Sequence, residues 1–332
     1  MRVVRIGVVG FGSIGRHHAR NLRAMANVEF VGVAEIDPGA RFAAERGGVP
    51  TFESTASLIA AGLDAAIVCV PTPAHEEVAQ PFIDASVALL VEKPLAHSMR
   101  SAKRIIARCE AAGVPLMVGY VERYNPATQA VRDFARSGGL GRLVSMSARR
   151  VGILPPRVRD ANVLIDIGVH DIDIAAFVTG ARLELLAAQG GMAVLDDRLD
   201  FATLLLDAAG AIVSIEANWL TPVKVRELSI TGTNGYCRVD YITQDAWFAP
   251  VQNYEVSGDY EDLVRQYKTG TLLALPVVKR EPLLCELDVF VAGVLGGTLP
   301  DPGIALASLR IAEEATLSIA RTAAARTAAR PA

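Results

Sequence analysis

A chain of 332 residues exceeds one ordinary domain, so two domains are expected. About half of the residues are apolar, aromatics are sparse and Gly and Ala are abundant, a composition that excludes a disordered or fibrous chain. A formal charge of −3 with scattered Lys and Arg excludes a nucleic-acid footprint, and no run reaches the roughly 18 apolar residues that a membrane span needs, so a cytoplasmic protein with small-molecule partners, no nucleic acid and no membrane is expected.

Along the first 120 residues, β-branched runs at 3–9, 28–34, 65–70, 87–91 and 115–118 alternate with amphipathic segments long enough for crossover helices. Runs apolar on both faces belong in the middle of a parallel sheet, so 1–120 is predicted to be a doubly wound α/β domain of the Rossmann kind. The rhythm then changes. Helices are predicted over 126–136 and 163–178, with a strand at 143–151 between them. Strands at 183–194, 201–206, 212–219, 226–231 and 237–241, punctuated by turn sequences such as Thr233-Asn234-Gly235, predict an antiparallel meander. Two further helices are predicted at 282–295 and 304–323, before a frayed tail. The range 121–332 therefore reads as an α+β domain on a large, mainly antiparallel open sheet, for substrate binding and oligomerisation. One broad face of that sheet is left for a second subunit to cover, which predicts a homodimer or homotetramer.

The first strand runs into Gly10-Phe11-Gly12-Ser13-Ile14-Gly15, a GxGxxG sequence opening a helix. Its glycines permit a tight turn and a close backbone approach to a pyrophosphate, while the helix start offers free N–H groups to the anion. The second strand ends at Glu35, twenty positions after Gly15, where a carboxylate accepts the adenosine ribose hydroxyls and repels the extra phosphate of NADP. NAD is the expected cofactor, and Asp37, before Pro38, reads as a helix cap. Cys69, Cys109, Cys237 and Cys285 form no CxxC pair and have no His at ligand spacing, so they read as reduced, packed thiols, and no metal is expected.

Three separated motifs share one order: Gly10 to Gly15 extended to His18, Glu92-Lys93-Pro94 at a strand end, and Asp166-Ile167-Gly168-Val169-His170 in the second half. With these GxGxxGxxH, EKP and DxGxH patterns the chain resembles the Gfo/Idh/MocA family of sugar and inositol dehydrogenases over nearly its whole length. The resemblance implies cofactor contacts from Gly10, Phe11, Gly12, Ser13, Ile14, Glu35, Pro71, Thr72, Pro73, His75, Glu92 and Lys93. It also implies that Lys93, Asp166 and His170 converge on a substrate carbinol. The chemistry of these residues agrees. Lys93 lies at the carboxyl end of a parallel strand, where open α/β sheets bind ligands, and its ammonium stabilises charge on an alcohol oxygen becoming a ketone. Asp166 and His170, four apart, share a helix face, and an imidazole beside a carboxylate is a base for the hydroxyl proton. Asp171 and Asp173 read as solvent-facing or capping, His17 and His97 as surface residues, and His18 as packing within the first helix. His75 has two readings, one beside the pyrophosphate and one as a locally packed helix-start residue.

Segments 119–126, 149–160 and 218–227 resemble a branch of that family that oxidises C3 of nucleotide-linked hexoses such as UDP-N-acetylglucosamine, with departures at Tyr120 and at Ile153-Leu154. This implies substrate contacts from Lys93, Tyr120, Arg123, Tyr124, Asn125, Arg157, Asp166 and His170. Arg157 and Arg159 on a Pro-rich loop either bind a diphosphate or uronate by charge-assisted bonds or form a solvated basic loop. The rival readings are a 3-dehydrogenase or 3-ketoreductase for an aminoglycoside, another glycoside or an inositol, and an NAD-binding regulator without catalysis.

Overall fold

The computed structural model describes residues 2–156, 158, 161–251 and 271–328. Two compact units emerge, Met1–Tyr124 with Glu281–Arg310, and Asn125–Arg280 with Ile311–Ala332. The single boundary expected at residue 120 does not capture the return of Glu281–Arg310 to the first unit. That return has an apolar cause, since Leu287, Phe290 and Val291 join the same buried core as Val4, Ile6, Val8 and Leu90.

In the first unit β1 (Val4–Val9), β2 (Val28–Ala34), β3 (Thr51–Phe52), β4 (Ala65–Val68), β5 (Ala88–Glu92) and β6 (Leu116–Gly119) form one sheet in the order β3-β2-β1-β4-β5-β6, all pairs parallel. Strands β4 and β6 are buried at every position, which is why their sequences are unbroken apolar runs rather than alternating ones. The helices are α1 (Ser13–Ala24), α2 (Pro38–Arg46), α3 (Thr55–Ala60), α4 (His75–Asp84) and α5 (Met99–Ala112), followed after the second unit by α8 (Pro282–Val294). Helix starts follow sequence chemistry: Asp37 accepts from Gly39 N–H ahead of Pro38 at α2, as the sequence predicted, and Ser98 accepts from Ser101 N–H at α5. Helix α1 buries Gly15, His18, Ala19 and Leu22 on one face, the spacing of an amphipathic helix laid on a sheet.

In the second unit β7 (Leu143–Ile153), β8 (Leu183–Gly191), β9 (Phe201–Ala208), β10 (Ala211–Asn218), β11 (Leu220–Gly232), β12 (Gly235–Asp240), β13 (Asp245–Pro250) and β14 (Leu273–Ala274) form an eight-stranded sheet in the order β14-β13-β12-β11-β7-β10-β9-β8. The expected meander is interrupted, because β7 enters between β10 and β11 and pairs parallel to β10. Helices α6 (Pro126–Arg136) and α7 (Val169–Thr179) lie on this sheet, α6 against β12 and β13 and α7 against β7, β9 and β10. Burial alternates along β9, where Ala202, Leu204 and Leu206 are buried and Phe201, Thr203 and Leu205 are exposed, the pattern of a sheet packed on one face. The helix predicted over 163–178 is a π-turn at Leu164–Gly168 followed by α7. Helix α9 (Ile304–Ala328) is the last element. Among the described residues no helix is long and apolar enough to cross a membrane.

Candidate active site

The glycine loop is shaped by what it excludes. Gly10 has φ +92°, and a Cβ there would lie 2.9 Å from the carbonyl oxygen of Cys69, while a Cβ on Gly15 would lie 2.1 Å from the carbonyl oxygen of Gly10. Gly12 and Ser13 are exposed, and no side chain caps the start of α1, so its first N–H groups are left for an anion. Phe11 is buried at 8 % exposure and Ile14 packs against the same core. Glu35 closes the other side: one oxygen accepts Phe11 N–H at 2.7 Å and the other accepts Asp37 N–H at 2.9 Å, tying the end of β2 to the glycine loop. A cradle that any side chain would fill, backed by this carboxylate, fits a dinucleotide pyrophosphate and ribose.

Pro71, Thr72 and Pro73 form an accessible turn after β4. His75 is 1 % exposed, with Nε2 2.9 Å from the carbonyl oxygen of Val70 and Nδ1 3.1 and 3.2 Å from those of Pro94 and Leu95. Burial lowers its pKa, and the ring clasps the Pro71 turn to the turn after Lys93. Of its two sequence readings, local packing is the one this geometry matches. Glu92 is engaged as well. One oxygen lies 2.8 Å from Nε2 of the fully buried His18, and the other accepts Lys93 N–H at 3.3 Å. Lys93 is half-buried at the end of β5.

In the segment 120–125, Tyr120, Arg123, Tyr124 and Asn125 are buried. Tyr120 is 2 % exposed, its hydroxyl 2.5 Å from Ser308 Oγ, and the Arg123 guanidinium stands 5.4 Å from its ring centre. Tyr124 joins the core with Leu287 and Phe290. Asn125, 1 % exposed, caps α6 by accepting Ala127 N–H at 3.1 Å and donates to the carbonyl oxygen of Tyr241 at 3.0 Å.

In the second unit Asp166 sits in the π-turn and His170 in the first turn of α7. Over 163–175 every residue is buried except Ile165, Asp166 and His170, which are half-buried. The expectation that Asp171 and Asp173 face solvent is corrected: they are 1 % and 2 % exposed. Asp171 is gripped by both arms of Arg150, reaching back from β7, at 2.8 and 3.0 Å, and that guanidinium also stands 5.2 Å from the Tyr241 ring centre. Arg157 and Arg159 lie outside the described residues. What sequence reasoning missed are the pairings: Arg150 with Asp171, and His18 with Glu92, two residues it had singled out separately.

Residues 4–120 match the model of an oxidoreductase family with an NAD-binding Rossmann fold, and residues 128–238 match the GFO/IDH/MocA C-terminal domain. A UDP-N-acetylglucosamine 3-dehydrogenase from Acidithiobacillus ferrooxidans is 29% identical over 240 residues, 72% of this chain and 74% of that protein. An inositol 2-dehydrogenase from Rhizobium meliloti (strain 1021) is 30% identical over 230 residues, 65% of this chain and 68% of that protein. The solved structure of UDP-N-acetylglucosamine 3-dehydrogenase GnnA from Acidithiobacillus ferrooxidans aligns with a TM-score of 0.82 at 25% identity, covering 96% of this chain and 98% of that one. Fold, cradle and matches define an NAD-dependent oxidoreductase. The chain belongs to the Gfo/Idh/MocA oxidoreductase family.

Proposed function

We propose that this enzyme oxidises a secondary hydroxyl of a sugar to a ketone, at C3 of a nucleotide-linked hexose such as UDP-N-acetylglucosamine. The observation that carries the reading is the exposure pattern of 163–175, in which a segment otherwise buried except at Ile165 presents to its surroundings one carboxylate and one imidazole, Asp166 and His170. NAD, held by the glycine loop and Glu35, supplies the hydride acceptor when bound. His170 takes the hydroxyl proton as the carbinol C–H and O–H bonds break and the C=O bond forms. Asp166 favours the protonated imidazole, and Lys93 steadies charge on the oxygen throughout. His75 and Glu92 hold the turn that carries Lys93. The choice of a nucleotide-linked hexose is supported by the likeness to the 3-dehydrogenase from Acidithiobacillus ferrooxidans. The working form is a homo-oligomer in which a second copy covers the exposed face bearing Phe201, Leu205 and Ile212.

The test offers NAD with a panel of UDP-hexoses, inositols and aminoglycosides and locates any new ketone. UDP-N-acetylglucosamine is expected to turn over, and Lys93→Met is expected to lower kcat by about a hundredfold or more while NAD still binds. Turnover that survives Lys93→Met unchanged overturns the assignment of Lys93.

A further inference from the structure

We propose that Asn162 is a positioning residue for Asp166: it caps the π-turn that carries this carboxylate, and Thr316 of α9 holds it in place. The inference rests on the reading of Asp166 and His170 as the pair that handles the hydroxyl proton, and extends it to what sets the place of the carboxylate.

Asp166 lies inside the ring closed where Val169 N–H bonds the carbonyl oxygen of Leu164, and His170 follows just beyond it. Turns of this kind are rare and occur singly within α-helices, so the ends of the turn have to be fixed by their surroundings. Asn162 fixes the first end. Its backbone carbonyl oxygen accepts Asp166 N–H at 3.0 Å, and its side-chain Oδ1 accepts Ile165 N–H, also at 3.0 Å. These are the two bonds of a helix cap, and they fall on Asp166 and its immediate neighbour. The other side of the amide faces α9, where Nδ2 donates to Thr316 Oγ1 at 3.3 Å. Thr316 donates its own proton to the carbonyl oxygen of Ala312 at 2.7 Å, so towards Asn162 its oxygen accepts. With a backbone N–H on one side and an accepting hydroxyl on the other, a single orientation of the amide satisfies both.

The next residue is anchored separately. Val163, fully buried, donates its N–H to the carbonyl oxygen of Leu199 at 3.0 Å. The loop ahead of β9 that carries Leu199 is gathered by Asp200, whose carboxylate accepts the N–H groups of Ala193, Val194 and Leu195 at 2.6 to 3.0 Å. The Val163 bond runs from backbone to backbone and survives a change of side chain at 162. Loss of the Asn162 amide therefore leaves the segment attached and loosens the turn that aims Asp166, which places the effect in the chemical step and not in the fold.

The test compares the full-length parent with Asn162→Ala, Asn162→Asp and Thr316→Val, by steady-state kinetics with NAD and UDP-N-acetylglucosamine and by amide hydrogen exchange across the π-turn. Asn162→Ala is expected to lower kcat by about tenfold or more while KM for the sugar and affinity for NAD stay within about threefold, and to speed exchange at Ile165 and Asp166. Asn162→Asp keeps an acceptor for Ile165 N–H and is expected to hold kcat within about threefold of the parent. Thr316→Val removes the brace from the α9 side and carries the test should Asn162→Ala fail to fold; it is expected to lower kcat by about threefold, with no further loss when added to Asn162→Ala. Exchange needs no substrate, so a parent that leaves UDP-N-acetylglucosamine untouched sinks the sugar reading alone, and the exchange rates then decide this one. A kcat for Asn162→Ala within about twofold of the parent, a loss that falls on KM or NAD affinity instead, equal losses for the Ala and Asp variants, additive losses in the double variant, or unchanged exchange would each overturn the proposal.

Discussion

Gly15 shows how far a single residue is legible from sequence. Its requirement is local, a backbone oxygen 2.1 Å from where a Cβ would sit, so the motif announces it without any knowledge of the fold. Gly15→Ala is expected to weaken NAD binding by about tenfold or more, the loop having to move to admit a methyl group, and calorimetric titration reads this directly. Unchanged affinity would mean that the loop is not the cradle. His18 and Glu92 mark the opposite limit. Each was visible as a motif residue, His18 as packing and Glu92 as a cofactor contact, yet the 2.8 Å bond between them spans 74 positions and has no periodic signature. Asp171 and Asp173 were misplaced for a related reason. A helix covered by a sheet and a neighbouring helix has more than one buried face, and for Asp171 the cation that a buried carboxylate needs comes from the strand β7, as Arg150.

At the scale of elements, the strands of the first unit were readable because burial on both faces leaves an unmistakable apolar run. The second unit was less so. Strand β14 is only two residues long, β13 ends on a proline, and in β11 the pairing with β7 jumps from Leu220 to Val225, a bulge that conceals the strand's true start. The π-turn at Leu164–Gly168 was also hidden, because π and α segments share the same residue preferences over a single turn. What fixes α7 to its sheet is the Arg150–Asp171 pair, whose side chains are 4% and 0% exposed. Arg150→Met leaves a buried carboxylate without its cation and is expected to destabilise the second unit by about 3–5 kcal/mol, with Asp171→Leu added to it restoring much of the loss. Both tryptophans, Trp219 and Trp247, lie in that unit, so urea unfolding followed by intrinsic fluorescence measures it. A shift below about 1 kcal/mol would show that the pair is dispensable.

For the whole molecule, sequence alone conveyed the fold class and the family, but not the return of Glu281–Arg310 to the first unit, since an apolar helix does not say which core it joins. The exposed face of the second sheet carries Phe201, Leu205 and Ile212 at 37%, 38% and 40% exposure among Ser and Thr, a surface fit for a second copy of itself. Sedimentation at micromolar concentration is expected to give a dimer or tetramer, and a monomer there contradicts this. The account as a whole turns on hydride leaving a sugar carbinol for NAD under the control of Lys93 and His170. Its most direct measurement is the yield of reduced nicotinamide when the purified chain meets NAD and UDP-N-acetylglucosamine, with the product's ketone located by NMR. The account predicts NADH and a C3 ketone in equal amounts; NAD that binds yet stays oxidised with every sugar, inositol and aminoglycoside offered would contradict it.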